Sequence, residues 1–373
     1  MAADDLTVRR WRAPGRINVI GDHTDYQDGF CLPMAIDREC RVTVRPATGA
    51  PTGTAVARTD PATITATSVQ EPGTVVVAAD GSTDPTTVEP AWGRFVAGAV
   101  AACTARGAAI PGGTWTITSS VPTGSGLSSS AALSVALVLA GVGLGGLHLD
   151  PVALARLALD AEVRATGVPG GLLDQMTALH AVPGHLLLLD CRTLTVEPVP
   201  LPRSLGFVVV HSGRARTLAG SGYAQRRAAG AATAAALGLP ALRDATPDQV
   251  AHDPRARHVV SENARVLAFA DALRAGRTDA LGPLMLASHA SLRDDYDVST
   301  PELDRAVDRL MAHGALGARL TGAGFGGCVV GLVQRNHADD VVAKVARDLA
   351  AAGVTDPLAF AVRPGAAAGV AAD

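Results

Sequence analysis

Four short segments hold the side chains that could do chemistry. In APGRINVIGDHTDYQDGFCLPMAI, residues 13–36, a strand pattern runs into Asp22, His23, Thr24, Asp25 and Tyr26. Carboxylates beside donors suit a ligand bearing several hydroxyls, because a missing hydroxyl would leave a buried group unpaired. The same text also reads as a solvated turn, and His23 with Asp25 reads as a sparse metal site, two ligands without further His or Cys. In VPTGSGLSSSAALSVALVLA, residues 121–140, Gly124, Ser125, Gly126 and Leu127 form a loop that enters an apolar helix through Ser128, Ser129 and Ser130. Backbone N–H groups at a helix start, serine hydroxyls and the helix dipole make a cradle for an anion. A capped tight turn is the alternative, but a buried helix start leaves orphan donors that need a partner.

The third segment, LTGAGFGGCVVGLV at 320–333, contains G-x-G-x-x-G at Gly322, Gly324 and Gly327. A dinucleotide fingerprint follows a strand and opens a helix; these glycines run into CVVGLV, a strand pattern. They read instead as a turn where backbone approaches a ligand or another loop, or as an ordinary tight turn. The fourth, GVPGGLLDQM at 167–176, places Asp174 near a helix start, where it could act chemically or only complement the helix dipole.

The elements that must carry these segments are mixed. From Ile17 to about Val77, runs rich in Val, Ile and Thr separated by Gly, Pro and Asp predict β-strands. A helix is expected over Trp92–Arg106, then the strand WTITSS, the buried helix after the serine run, and a helix opened by Asp150 as N-cap with Pro151 in its first turn. Beyond HLLLLD, the strand GFVVVH, helices near 221–237, 260–275 and 301–313, and CVVGLV predict a second unit. The expectation is an α+β protein of two domains, residues 1–190 and 191–373. The stretch 237–258 reads as a polar surface connection, and Pro364 onward as a frayed terminus.

Composition narrows the function. The chain has 373 residues, a net charge of −3, 48% hydrophobic and 18% charged side chains, which excludes a mainly disordered chain and offers no basic block for nucleic acid. Lys344 is the only lysine and is followed by Val345. A Walker-type loop, which needs Lys followed by Ser or Thr, is therefore excluded, and protein-kinase chemistry falls with it. The five cysteines are scattered without a C-x-x-C pair, so neither a zinc site nor a disulfide framework is indicated. With acids in MAADDLTVRR where a secretion signal carries bases, a cytoplasmic protein is expected. The uncharged stretch Val121–Leu149 has an apolar part of roughly 14 residues, short of the ~20 that span a bilayer, so no membrane partner is expected.

Together these segments resemble the GHMP small-molecule kinases and, within them, the galactokinases. Gly15–Ile36 is similar to the galactokinase signature, PTGSGLSSSAA to the superfamily's phosphate loop, and LTGAGFGGC to its third motif. GLLDQM, RTLAGSGYAQRR at 216–227 and SHASLRDDYDVSTPELD at 288–304 extend the resemblance. It implies an N-terminal α/β domain and a ferredoxin-like C-terminal domain with ATP and a sugar in the cleft between them. It further implies Asp174 as the group that takes the proton of the anomeric hydroxyl, with Arg16 beside it and the transferring phosphoryl. Ser130 and Glu162 match the magnesium ligands, Trp92 the aromatic near adenine, and Gly124–Ser130 the phosphate loop. Asp22, His23, Asp25, Gly171 and Tyr223 match the sugar-binding positions. The implied partners are ATP, Mg²⁺ and a sugar, in a monomer or homodimer.

Two departures bear on the substrate. Asp22 stands where galactokinases carry a glutamate, and Gly222 where they commonly carry an acid. D-galactose is the expected substrate. A galactose-like sugar extended or phosphorylated at C6, which Arg214 or Arg216 could meet, is the alternative. A non-catalytic sugar sensor on the same fold and a mevalonate- or homoserine-type kinase are the others; the D-H-T-D-Y cluster speaks against the last.

Overall fold

The computed structural model describes residues 8–47, 62–214 and 219–371. Its first strands are β1 (Arg9–Asn18), β2 (Phe30–Cys31), β3 (Pro33–Pro46), β4 (Thr63–Ser68) and β5 (Thr74–Ala78). The helix expected after Trp92 is α1 (Gly93–Thr104), WTITSS lies in β6 (Gly113–Ser119), and the serine run opens α2 (Ser129–Leu144). Asp150 caps α3 (Pro151–Thr166) by accepting from Ala153 N, with Pro151 in the first turn. Then come α4 (Leu173–His180), β7 (His185–Asp190), β8 (Thr195–Pro200) and β9 (Leu205–His211). The remaining elements are α5 (Ala219–Ala236), α6 (Pro254–Arg274), α7 (Leu281–Asp294), α8 (Pro301–Ala312), β10 (Gly317–Leu320), β11 (Cys328–Gln334), α9 (Ala338–Ala351), β12 (Ala359–Val362) and β13 (Gly369–Val370).

Among the described residues the strands form three sheets, ordered β13-β1-β3-β6-β4-β5, β10-β11-β9-β12 and β2-β7-β8. On the first sheet Trp11, Val42, Val44 and Trp115 face α1, α2 and α3 and form one core. Apolar side chains run almost all round α2 because it is buried on most sides. The second sheet is covered on both faces. Phe207 and Val209 of β9 join one core, Val208 and Val210 another, which explains the uninterrupted apolar text of GFVVVH. The core holding Phe207 and Val209 also takes in Ile17 of β1, Val19 just after it and Met34 of β3, so the end of β1 is anchored where the two halves of the chain meet.

Several elements depart from the sequence reading. The strand β8 contains Pro198 and Pro200 and, among the described residues, pairs only with β7; prolines are tolerated on such an edge. The 237–258 stretch is more than a surface connection. Its short turns Leu242–Asp244 and Asp248–Val250 bury Leu242 and Val250, and Arg243 holds Asp190 through contacts of 2.5 and 2.9 Å. Pro364–Ala371 is not frayed. Gly365 N donates to Ala35 O at 2.8 Å, Ala368 N to Ala178 O at 2.7 Å and Ala371 N to Arg10 O at 2.9 Å, so small residues here fit a strand edge where their composition suggests a loose end. No helix among the described residues is long and apolar enough to cross a membrane.

Candidate active site

The end of β1, the loop before α2 and the first turn of α4 converge on one carboxylate. Arg16 is 158 positions from Asp174 in the chain, yet its Nε donates to Asp174 Oδ1 at 2.6 Å. Arg16 Nη1 donates to Gly126 O at 2.7 Å, which ties the same guanidinium to the loop. The other oxygen, Asp174 Oδ2, accepts from Ser128 Oγ at 2.5 Å. Both carboxylate oxygens are thereby oriented, and charge-assisted contacts of this kind are the strong ones.

Because Ser128 points at Asp174, it makes no cap bond to its own helix; its φ is 60° and it turns the chain in the left-handed region. Among the described residues the amides of Ser129, Ser130 and Ala131 have no protein acceptor. A helix start with unspent donors and its positive dipole end favours an anion. Gly124 and Gly126, at φ 67° and 85°, make the turn possible. Two members of the loop serve it from inside: Ser125 Oγ donates to Pro122 O at 2.7 Å, and Leu127 is buried while its carbonyl accepts from Arg16 N at 3.1 Å.

Beside Asp174 lies a cavity of about 350 Å³ whose lining includes Asp22, His23, Asp25, Gly171 and Tyr223. The expected sugar positions are thus brought together with Arg16, Glu162 and Asp174, which line the same cavity. Burial, then the charges of Asp174 and Asp22, push Asp25 up to about 6. Tyr223 Oη reaches Asp25 Oδ2 at 3.5 Å. A Cβ on residue 171 would stand 2.3 Å from Asp25 Oδ2, so only glycine lets the carboxylate occupy its place.

Asp22 is 4% exposed and is held on every side. Its Oδ1 accepts from Asn18 Nδ2 and from Gly322 N, both at 3.0 Å, and its Oδ2 is 2.6 Å from Arg319 Nη2. The Gly322 contact gives the third glycine segment its role: it brings a backbone donor to the first segment. Arg319 is wholly buried; its Nη1 donates to Asn18 O and Val19 O, and its Nε to Ser288 Oγ. Glu262, equally buried, accepts from Gly21 N at 2.9 Å and Ser288 Oγ at 2.6 Å. Sequence reasoning missed Arg319 and Glu262, although an arginine inside the apolar strand text GARL is itself a signal, since such a charge is buried only with partners.

Glu162 sits on α3 facing this region. Burial pushes it up to about 7, with Asp174 adding to the rise, while Ser130, Gln175 and Arg16 act the other way. Gln175 Nε2 donates to Glu162 Oε2 at 2.8 Å, and Gln175 Oε1 is buried without a partner among the described residues. Ser130 and Glu162 together offer hard oxygen donors with spare capacity, which fits a small divalent cation shared with phosphate oxygens.

Other expected positions lie apart from this cavity. Trp92 precedes α1, donates Nε1 to Pro72 O at 3.1 Å and packs on the first core; it does not line the cavity. A Cβ on Gly222 would meet the Phe325 ring at 2.8 Å, so the absence of an acid there accompanies a ring that fills the space. Arg214 pairs with Glu302 at 3.3 Å, and Arg216 lies outside the described residues.

The fold and the loop-to-helix site define a class, the GHMP kinases: residues 94–181 match the model described as GHMP kinases N terminal domain, and 269–351 the model described as GHMP kinases C terminal. Residues 4–46 match the galactokinase galactose-binding signature. A Roseiflexus galactokinase is 44% identical over 350 residues, 88% of this chain and 84% of that one. A Mycobacterium tuberculosis galactokinase is 42% identical over 359 residues, 92% and 94% of the two chains. The crystal structure of Lactococcus lactis galactokinase complexed with galactose superposes with a TM-score of 0.86 at 28% identity, covering 97% and 95%. Methanococcus jannaschii mevalonate kinase, 17% identical with a TM-score of 0.69 over 96% and 99%, shares the fold. The chain belongs to the galactokinase family.

Proposed function

We propose that this chain transfers the γ-phosphoryl group of ATP to the anomeric hydroxyl of D-galactose, giving galactose 1-phosphate and ADP. The observation that carries this reading is the position of Asp174, held by Arg16 and Ser128 between the anion-ready start of α2 and the polar cavity. In the reaction the O1–H bond breaks and its proton passes to Asp174; O1 forms a bond to the γ-phosphorus as the bond to the β-bridging oxygen breaks. Phosphoryl transfer depends mainly on positioning and charge stabilisation. The open amides at Ser129–Ala131 suit the phosphates, and Arg16 supplies a fixed positive charge beside the transferring group. Asp22, His23, Asp25 and Tyr223 offer the hydrogen-bonding groups for the sugar hydroxyls.

Ser130 and Glu162 are the residues that would hold Mg²⁺. Bound there, the cation neutralises phosphate charge during transfer.

ADP release by the purified protein with ATP, Mg²⁺ and a panel of free aldoses tests the proposal. Galactose should give turnover within the usual ~1–10³ s⁻¹ of enzymes. Absence of turnover with galactose alongside activity on another acceptor would overturn it.

Two further outcomes follow from the site. Gly171→Ala should displace Asp25 and raise the KM for galactose by about tenfold or more, the scale of a lost charged hydrogen bond, with the KM for ATP unchanged. Steady-state kinetics in each substrate check this, and equal changes in both would contradict it. The pH profile carries the second. Asp25 must be ionised to accept from hydroxyls, and it is held up at about 6; Glu162 must be ionised to bind a cation, and it is held up at about 7. Both groups gain protons as pH falls, so kcat/KM should fall on acidification through this range. Glu162→Gln should remove the higher of the two steps, whatever it does to the overall rate. For stability the sign is opposite: a carboxylate raised in the folded state opposes folding more as pH rises from its unfolded value through about 6 or 7.

A further inference from the structure

Two of the five cysteines meet in the fold. Cys31 and Cys191 are 160 positions apart in the chain, yet their sulfurs lie 3.8 Å from one another. The ladder between β2 and β7 brings them together. Cys31 stands opposite Leu189, and Cys191, two positions further on, donates its N–H to Gly29 O at 2.9 Å. Side chains alternate along a strand, so Cys31, Leu189 and Cys191 share one face. That face packs on Leu173 and Met176 of α4, which flank Asp174 in sequence.

The two thiols differ in access and in what they touch. Of the five cysteines, only Cys191 is not fully buried. It lines a cavity of about 290 Å³ whose wall includes Asp25 and Gly171, and both of these also line the sugar cavity. Cys31 lies behind it. Burial pushes the Cys31 thiol well above its usual range, so it keeps its proton and is the poorer nucleophile. Its sulfur donates to Gly21 O at 3.2 Å and lies 3.3 Å from Thr24 Oγ1. Thr24 ties the turn: its Oγ1 is 3.0 Å from Gly21 O and 2.8 Å from Phe30 O, and its carbonyl accepts from Gln27 N and Gly29 N. The turn closed by these contacts carries Asp22, His23 and Asp25.

We propose that Cys31 and Cys191 form a reversible oxidation site for a hydroperoxide, and that the disulfide they make loosens the turn that binds the sugar. The Cys191 sulfur attacks a peroxide oxygen; the S–O bond forms as the O–O bond breaks, the thiol proton leaves in water, and a sulfenic acid remains. The Cys31 sulfur then attacks the Cys191 sulfur. The S–S bond forms as the S–O bond breaks, and the departing hydroxide takes the Cys31 proton as a second water. Two thiols and one hydrogen peroxide thus give one disulfide and two waters, with sulfur oxidised and peroxide oxygen reduced. Bonded sulfurs sit about 2.0 Å apart, so Cys31 must turn toward Cys191 and give up its place against Gly21 and Thr24. The effect on the sugar rests on the function proposed above; the disulfide does not.

The test treats the purified protein with hydrogen peroxide. Digestion should yield a peptide pair linked through Cys31 and Cys191, and dithiothreitol should separate it. Amide hydrogen exchange over residues 21–30 should speed up in the oxidised protein and return on reduction. The KM for galactose should rise about three- to tenfold, the scale of one neutral hydrogen bond, with the KM for ATP unchanged. Cys191→Ser should keep native kinetics and lose all of these responses to peroxide. Cys31→Ala should stop at a sulfenic acid on Cys191 that dimedone traps. Absence of the linked pair, unchanged exchange over 21–30 once the pair has formed, or an unchanged KM in an oxidised protein that turns galactose over would each overturn the proposal. If instead galactose is the wrong substrate, the linked pair and the exchange response persist, while the aldose panel shows no galactose turnover by the reduced protein.

Discussion

Asp174→Ala should lower kcat by about 10²–10⁴-fold, the usual contribution of a positioned proton acceptor, while ATP binding measured by calorimetry stays close to native. The separation is expected because, among the described residues, Asp174 meets the phosphate loop directly through Ser128 and indirectly through Arg16, and the amides at the start of α2 make no bond to it. Asp174→Asn sharpens the test. An asparagine oxygen can still accept from Arg16, which donates at 2.6 Å in the native protein, so the guanidinium keeps a partner and the local packing survives. What the amide lacks is the ability to take a proton. Loss of turnover in both variants assigns Asp174 the proton; turnover within about tenfold of native in Asp174→Asn would leave it an orienting role only.

Arg319→Met should have the largest effect on stability. The side chain is 0% exposed and stands between two buried acids, 2.6 Å from Asp22 and 3.8 Å from Glu262. Removing one partner of a buried charge group costs about 3–5 kcal/mol, because the charges left behind are uncompensated. Glu262 shows the dependence: burial pushes its carboxyl up, yet Arg319, His258 and Arg265 outweigh that and hold it at about 2. A group depressed in this way stabilises the fold above its unfolded value and ceases to do so as pH falls through about 2, so the full effect of the substitution is present near neutrality. Urea unfolding followed by fluorescence measures it. A second variant, Arg319→Met with Glu262→Gln, should recover part of the loss by removing one stranded charge. A single variant as stable as the native protein would contradict the role assigned to the guanidinium.

What the sequence made legible was local. The Gly-Ser loop running into α2, the cap and proline at the start of α3, and the alternation-free β9 are each written in neighbouring residues, and they appear where expected. The pairing of Arg16 with Asp174 is of another kind. Nothing near either residue announces the other, and only the family resemblance joined them. Asp22 illustrates the limit further: its segment reads as a cluster of sugar acceptors, but its three named contacts come from Arg319, Gly322 and Asn18, two of them some 300 positions away. Trp92, which the resemblance places near adenine, lies outside the lining of the cavity beside Asp174. The tail was misread for a physical reason as well, since Gly and Ala read as loose when alone and as close-fitting when a strand edge is beside them.

That tail has a bearing on synthesis. The sheet begun by Arg9 is completed by Gly369 and Val370, and the helix that presents Asp174 receives a hydrogen bond from Ala368. A ribosome must therefore have passed residue 370 before the first sheet can acquire the strand at this edge. The first sheet stays unfinished until the second half of the fold has been made, and the arrangement around Asp174 is sealed by a segment far later in the chain.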